Sequence, residues 1–154
     1  MNIALRYLKG TKKLPWRDTH LKVVGGAVYG IQRAFLIDWY FVSQTLLTSS
    51  VYYPPLSNDI SNDCIAQVIT GSPVSVWPDI MQGFIRIILE AKHYVYIETP
   101  YFLPTEPFMA AITNAALSGV DVRLLIPAQS DVFITSLATH SYIPEALEAD
   151  RKST

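Results

Sequence analysis

From residue 64 to residue 149 the apolar pattern alternates between a strand-like and a helix-like period, three times in succession. Residues 64–70 (CIAQVIT) predict a strand that ends at Gly71-Ser72-Pro73. Pro78 suits the first turn of a helix, and Ile80, Phe84, Ile87, Ile88 and Ala91 supply its apolar face. Residues 94–98 (YVYIE) are a second β-rich run, closed by Pro100. Thr105-Glu106-Pro107 reads as a helix start, Met109, Ile112 and Ala116 continue it, and Gly119 stands where a helix stops. Residues 120–126 (VDVRLLI) are the third strand, and a last helix is expected over 131–149, kinked or interrupted by Pro144. Strands joined through intervening helices pair parallel, because a tight turn can only reverse the chain. The expected class is therefore α/β, a mostly parallel sheet flanked by helices.

The first 50 residues carry one more strand-then-helix unit. Residues 15–24 (PWRDTHLKVV) alternate, with Thr19, Leu21 and Val23 on one face and Asp18, His20 and Lys22 on the other. Gly25-Gly26 break that pattern. From Ala27 to about Leu47 the residues Val28, Ile31, Phe35, Trp39, Val42 and Leu46 step by three and four, which predicts a long amphipathic helix. Residues 49–63 (SSVYYPPLSNDISND) hold two prolines and many Ser, Asn and Asp residues and read as a linker. The domain expectation is thus 1–50 as the end of one α/β unit, 51–63 as linker and 64–154 as the start of another.

Composition narrows the function classes. Apolar residues at 50% and charged residues at 16% exclude a disordered chain. Twelve Lys and Arg against thirteen Asp and Glu leave a net charge of −1, so no basic footprint argues for nucleic acid. One cysteine, Cys64, excludes an internal disulfide and a multi-cysteine zinc site. The most hydrophobic stretch, from Ala34 to Val42, is broken by Asp38, short of the roughly 20 apolar residues a span needs. A soluble chain with no transmembrane segment is therefore expected. Its eighteen aromatics and mean hydropathy of +0.23 predict exposed apolar surface and self-association.

Few residues invite chemistry. There is no phosphate-cradling glycine loop and no nucleophile elbow. His20 and Lys22 share a strand face, the geometry with which an imidazole attacks phosphorus while an ammonium neutralises its oxygens. The phosphodiester-transfer signature H-x-K-x-x-x-x-D, however, needs an Asp seven residues after the His, where this chain has Ala27, and the downstream G-S-x-N is also missing. His20 is accordingly read as part of an edge strand's polar face, not as a nucleophile. Asp18 either orients a basic group or pairs with Arg17 or Lys22. Glu98 lies at the carboxyl end of a predicted parallel strand, the edge where α/β proteins place their sites. It can orient a His or Lys, accept a proton, or simply pair with a basic neighbour. Tyr101 and Phe102 read as core or rim aromatics, His93 as a helix-end residue, His140 as mid-helix, and Cys64 as opening a buried strand.

Two blocks of the chain are similar to a known family. PWRDTHLKVVGGAVYGIQRAFLIDWYF resembles the segment of phospholipase D superfamily proteins, bacterial cardiolipin synthases in particular, that follows their first H-x-K motif. AKHYVYIETPYFLPTEPFMAAITNAALSGVDVRLLIP resembles the segment that precedes their second, and the tail IPEALEA resembles the helix that comes next. Together the blocks cover roughly residues 15–127, in the family's order. Met1-Asn2-Ile3 resembles the tail of the first motif.

The resemblance implies a partial phospholipase D-like fold, an internal piece lying between two H-x-K motifs. It implies a phosphatidyltransferase that moves a phosphatidyl group between two phosphatidylglycerol molecules through a phosphohistidine, releasing glycerol, with no metal or cofactor. It further implies a bacterial membrane location for the longer protein. On that resemblance Asn2, Asp18, His20, Glu98 and Tyr101 are supporting site residues, while the nucleophilic and acid histidines lie outside the chain, which alone is expected to be inactive. The alternatives are another phospholipase D-like phosphodiesterase (a lipid hydrolase or a nuclease) and a non-catalytic α/β binding domain.

Overall fold

The longest helical period in the sequence becomes helix α1, Ala27–Ser43, in the computed structural model, which describes residues 19–56, 64–128 and 133–153. Gly25, with φ of 103°, turns the chain into the helix in a conformation that a side chain would strain. The carbonyls of Gly25 and Gly26 accept the first bonds, from the N–H groups of Val28 and Tyr29 at 3.0 and 3.1 Å. The helix stops at Ser43, four residues before the expected end near Leu47. The reason is local competition for backbone carbonyls. The Ser43 hydroxyl donates to the Trp39 carbonyl at 2.7 Å and the Gln44 amide to the Phe41 carbonyl at 2.9 Å. Gln44 then adopts a left-handed conformation, φ 54°.

The chain divides into two units, Met1–Val68 and Ile69–Thr154. Within the first, Ser49 starts a short 3-10 turn over Ser50–Tyr52, its hydroxyl accepting from the Val51 N–H. The Tyr29 hydroxyl donates to the carbonyl of Pro54, and the rings of Tyr29 and Tyr53 lie 5.9 Å apart. Residues 50–56 therefore fold back on the start of α1. Gly30 lets Val68 pass close to the same helix, since a Cβ at position 30 would lie 2.8 Å from Val68 Cγ2. No residue of α1 is buried.

Two expected strands are absent from the described residues. Residues 19–24, the described part of the expected strand over 15–24, and residues 64–70 (CIAQVIT) form no ladder, and Cys64 is exposed rather than buried. Alternation fixes which side chains share a face, but a strand also needs a partner for its backbone groups. Residues 15–18, and residues 57–63 of the expected linker, lie outside the described residues.

The second unit holds the parallel layer. Helix α2, Asp79–Glu90, begins directly after Pro78, and Ser75 donates to the Asp79 carboxylate at 3.2 Å. Strand β1, Tyr94–Glu98, pairs parallel with β2, Asp121–Leu125, in the register Tyr94↔Asp121 through Glu98↔Leu125. Helix α3, Glu106–Leu117, crosses between them, with Pro107 in its first turn as expected. Thr105 occupies the N-cap position, but its side chain makes no capping bond. The helix closes by reciprocal bonds, Gly119 N–H to Ala116 carbonyl at 2.9 Å and Val120 N–H to Ala115 carbonyl at 3.1 Å. That motif needs the left-handed backbone Gly119 supplies (φ 83°), and it brings Val120 against the core. Helix α4, Phe133–Ser153, continues through Pro144 instead of breaking there.

Ile88, Val95, Phe102, Met109, Ala111, Ile112 and Ala115 form the core between the sheet, α2 and α3. Val95 and Ile97 of β1, with Val122 and Leu124 of β2, turn inward, while Tyr94, Tyr96, Asp121, Arg123 and Leu125 stand on the outer face. Helix α2 is rotated from its expected orientation. Ile88 is 4% exposed and Ile85 packs beside it, whereas Ile87 is 64% exposed. Among the described residues no helix is long and apolar enough to cross a membrane.

Candidate functional site

The carboxyl edge of the parallel pair holds two of the expected site residues, Glu98 and Tyr101. In a parallel sheet that edge is also where crossover loops leave, so side chains there are held by the sheet yet reach solvent. Glu98 is the last residue of β1 and faces Leu125 across the ladder. The pairing continues one step, since the Thr99 N–H donates to the Leu125 carbonyl at 3.1 Å. The chain then turns over Pro100 and Tyr101. The Thr99 hydroxyl donates to the Tyr101 carbonyl at 3.0 Å, and the Tyr101 N–H reaches back to Thr99 Oγ1 at 3.4 Å. Phe102 follows, 3% exposed, and drives into the core. Sheet on one side and Phe102 on the other thus hold a short corner whose outward groups are the Glu98 carboxylate and the Tyr101 ring, both exposed. An accessible carboxylate can orient a cation or imidazole and accept a proton.

The other expected residues are placed differently. His20 is exposed, in a stretch of the first unit without regular secondary structure. Asn2 and Asp18 lie outside the described residues. Of the five, the structure brings Glu98 and Tyr101 together at one corner. His140, for which the sequence suggested no partner, has its Nδ1 2.7 Å from the Ser136 carbonyl one turn earlier in α4. Among the described residues no cluster of three or more His, Cys, Asp or Glu side chains could hold a metal.

One polar cluster was not anticipated. On the outer face of the sheet Tyr96 donates to Asp121 Oδ2 at 2.9 Å, and Arg123 holds the same carboxylate through Nε at 3.0 Å and Nη2 at 2.9 Å. The Arg123 guanidinium also lies 5.1 Å from the Tyr96 ring centroid, and the Tyr94 ring stacks against Tyr96 at 4.9 Å. The Arg123 bond holds the Asp121 carboxyl below its ordinary range, with Tyr96 adding to it. The bond to Asp121 raises the Tyr96 hydroxyl, and the same carboxylate raises Arg123. The alternation of Tyr94, Tyr96, Asp121 and Arg123 was visible in the sequence, but their meeting depends on the register of β1 against β2.

Comparison with known proteins gives this edge a context. Residues 84–153, which include the whole corner, match the family described as cardiolipin synthase, PLD-like domain. The chain is 42% identical over 154 residues to a cardiolipin synthase of Geobacillus kaustophilus, covering 99% of this chain and 30% of that protein. It is 39% identical over 154 residues to one from Listeria monocytogenes serotype 4a (98% of this chain, 32% of that protein) and 39% over 150 residues to one from Oceanobacillus iheyensis (96% and 31%). The chain thus spans somewhat under a third of the length of these curated relatives. No solved structure matches it.

Proposed function

Since the chain belongs to the cardiolipin synthases, with their phospholipase D-like domain, we propose that it forms the scaffold of a phosphatidyl-transfer pocket whose two reactive histidines stand elsewhere in a longer polypeptide. In that reaction one histidine attacks the phosphorus of phosphatidylglycerol and the second protonates the departing glycerol. A hydroxyl of a second phosphatidylglycerol, passing its proton back to the second histidine, then attacks the phosphohistidine, forming cardiolipin and freeing the first imidazole. Residues 1–50 are the rear of one phospholipase D-like half, 51–63 the linker and 64–154 the front of the next. The longer protein works at the bacterial membrane that holds its substrate.

The observation that carries this reading is the exposed Glu98–Tyr101 corner at the carboxyl edge of a parallel strand, within the matched residues. Glu98 orients a basic catalytic group there and Tyr101 lines the approach, while Asn2, Asp18 and His20 are supporting residues of the first half. The chain alone makes no phosphohistidine, because no H-x-K-x-x-x-x-D occurs in it.

The test is a graft. The aligned stretch of the Geobacillus kaustophilus protein is replaced by this chain, and the chimera is incubated with phosphatidylglycerol vesicles. Cardiolipin and glycerol should appear with the chimera and not with the isolated chain. Glu98→Gln in the chimera should lower turnover at least about tenfold with an unchanged unfolding midpoint. A folded chimera that releases phosphatidic acid alone would make the pocket a hydrolase. Cardiolipin from the isolated chain would overturn the scaffold role.

A further inference from the structure

At the Glu98–Tyr101 corner one polar side chain is turned back onto the main chain instead of outward. Thr99 is half-buried, and its Oγ1 engages both backbone groups of Tyr101, donating to the carbonyl at 3.0 Å and lying 3.4 Å from the N–H. Its own N–H is held by the Leu125 carbonyl of the neighbouring strand. Pro100, between the two, has a fixed φ and no N–H to offer. Phe102 anchors the far side in the core. The Tyr101 backbone is therefore tied to the Thr99 hydroxyl, whose β-branched χ1 is stiff.

We propose that Thr99 is the positioning residue of this edge: its hydroxyl sets the orientation of Tyr101 beside Glu98, and through it the rate of phosphatidyl transfer rather than the affinity for phosphatidylglycerol. This rests on the reading of the corner as part of the transfer pocket. The physical argument concerns geometry more than stability. A partly exposed hydroxyl-to-backbone bond adds little to folding, because water replaces it readily. A site residue displaced by even about 1 Å, in contrast, loses much of its effect on a reacting centre. Valine at position 99 keeps the shape and branching of threonine and removes both contacts, while serine keeps the hydroxyl and gives up only the methyl.

Two measurements separate this from the reading it builds on. In the isolated 154-residue chain, the Tyr101 amide should exchange with solvent about five- to tenfold faster in Thr99→Val, the loss of one hydrogen bond, and at the parent rate in Thr99→Ser. In the Geobacillus chimera, Thr99→Val should lower kcat by a similar factor with little change in KM, and Thr99→Ser should restore most of it. Unchanged exchange in Thr99→Val overturns the positioning role whatever the chimera does. Faster exchange with an inactive parent chimera overturns the transfer pocket while leaving the corner's geometry standing. A chimera whose Thr99→Val variant loses only thermal stability makes Thr99 structural.

Discussion

Tyr96 donates its phenolic proton to Asp121 diagonally across the parallel pair, at 2.9 Å, although the register sets Tyr96 opposite Arg123 and Asp121 opposite Tyr94. The diagonal works because Arg123 lies two residues beyond Asp121 on the same face and holds the carboxylate from the other side while covering the Tyr96 ring. A central carboxylate shared by a phenol and a guanidinium ties the first residue of β2 to the middle of β1. Because the cluster is open to water, its contribution is modest and screened by salt.

The cluster makes stability depend on pH at both ends. The lowered value at Asp121 means that its contribution is complete above the ordinary aspartate range, near pH 4, and is lost as pH falls through the lowered value. The raised value at Tyr96 means that its contribution is complete below about pH 10 and is lost as pH rises through the raised value. Thermal unfolding followed by circular dichroism from acid to alkaline pH should show the parent minus Asp121→Asn difference as a plateau that declines on both sides and shrinks in high salt. A difference that is flat across the whole range would remove the cluster from the account of stability.

Two phenylalanines separate the core from the rim. Phe102 is 3% exposed and belongs to the core cluster, so Phe102→Ala should cost about 3–5 kcal/mol in denaturant unfolding. Phe84 is 53% exposed and meets Phe108 edge-on at 6.5 Å, so Phe84→Ala should cost about 1 kcal/mol. Equal losses would mean that α2 is rotated back toward the face its sequence alone suggests.

In the first unit the close pass at Gly30 decides the sign of a substitution. Gly30→Ala gains up to about 1 kcal/mol of helix propensity. The new Cβ, however, would stand 2.8 Å from Val68 Cγ2, and overpacking of that kind costs about 1–3 kcal/mol. The single change should therefore destabilise, and the same change made in a Val68→Ala background should stabilise. A double-mutant cycle on unfolding midpoints measures the coupling, and additive effects would show that residues 64–68 do not rest on α1.

The sequence determined those parts whose cause is local. Helix α1 was legible because each of its hydrogen bonds closes within four residues, under one apolar period. The β1–α3–β2 crossover was legible because Pro107 and Gly119 mark the helix ends and because parallel strands require such a connection. Glu98 could be assigned to the carboxyl edge from that crossover alone, and the combination of WRDTH, IETPYFLP and ALSGVDVRLLIP was specific enough to carry the family resemblance. The tertiary structure decided the rest. Residues 19–24 and 64–70 carry strand-like patterns but no ladder, because a strand's bonds are completed by another segment that its own residues do not name. The face α2 buries, the Thr99 contacts to the Tyr101 backbone, and the meeting of Tyr96, Asp121 and Arg123 follow from register and packing, and the last of these joins residues 25 or more positions apart.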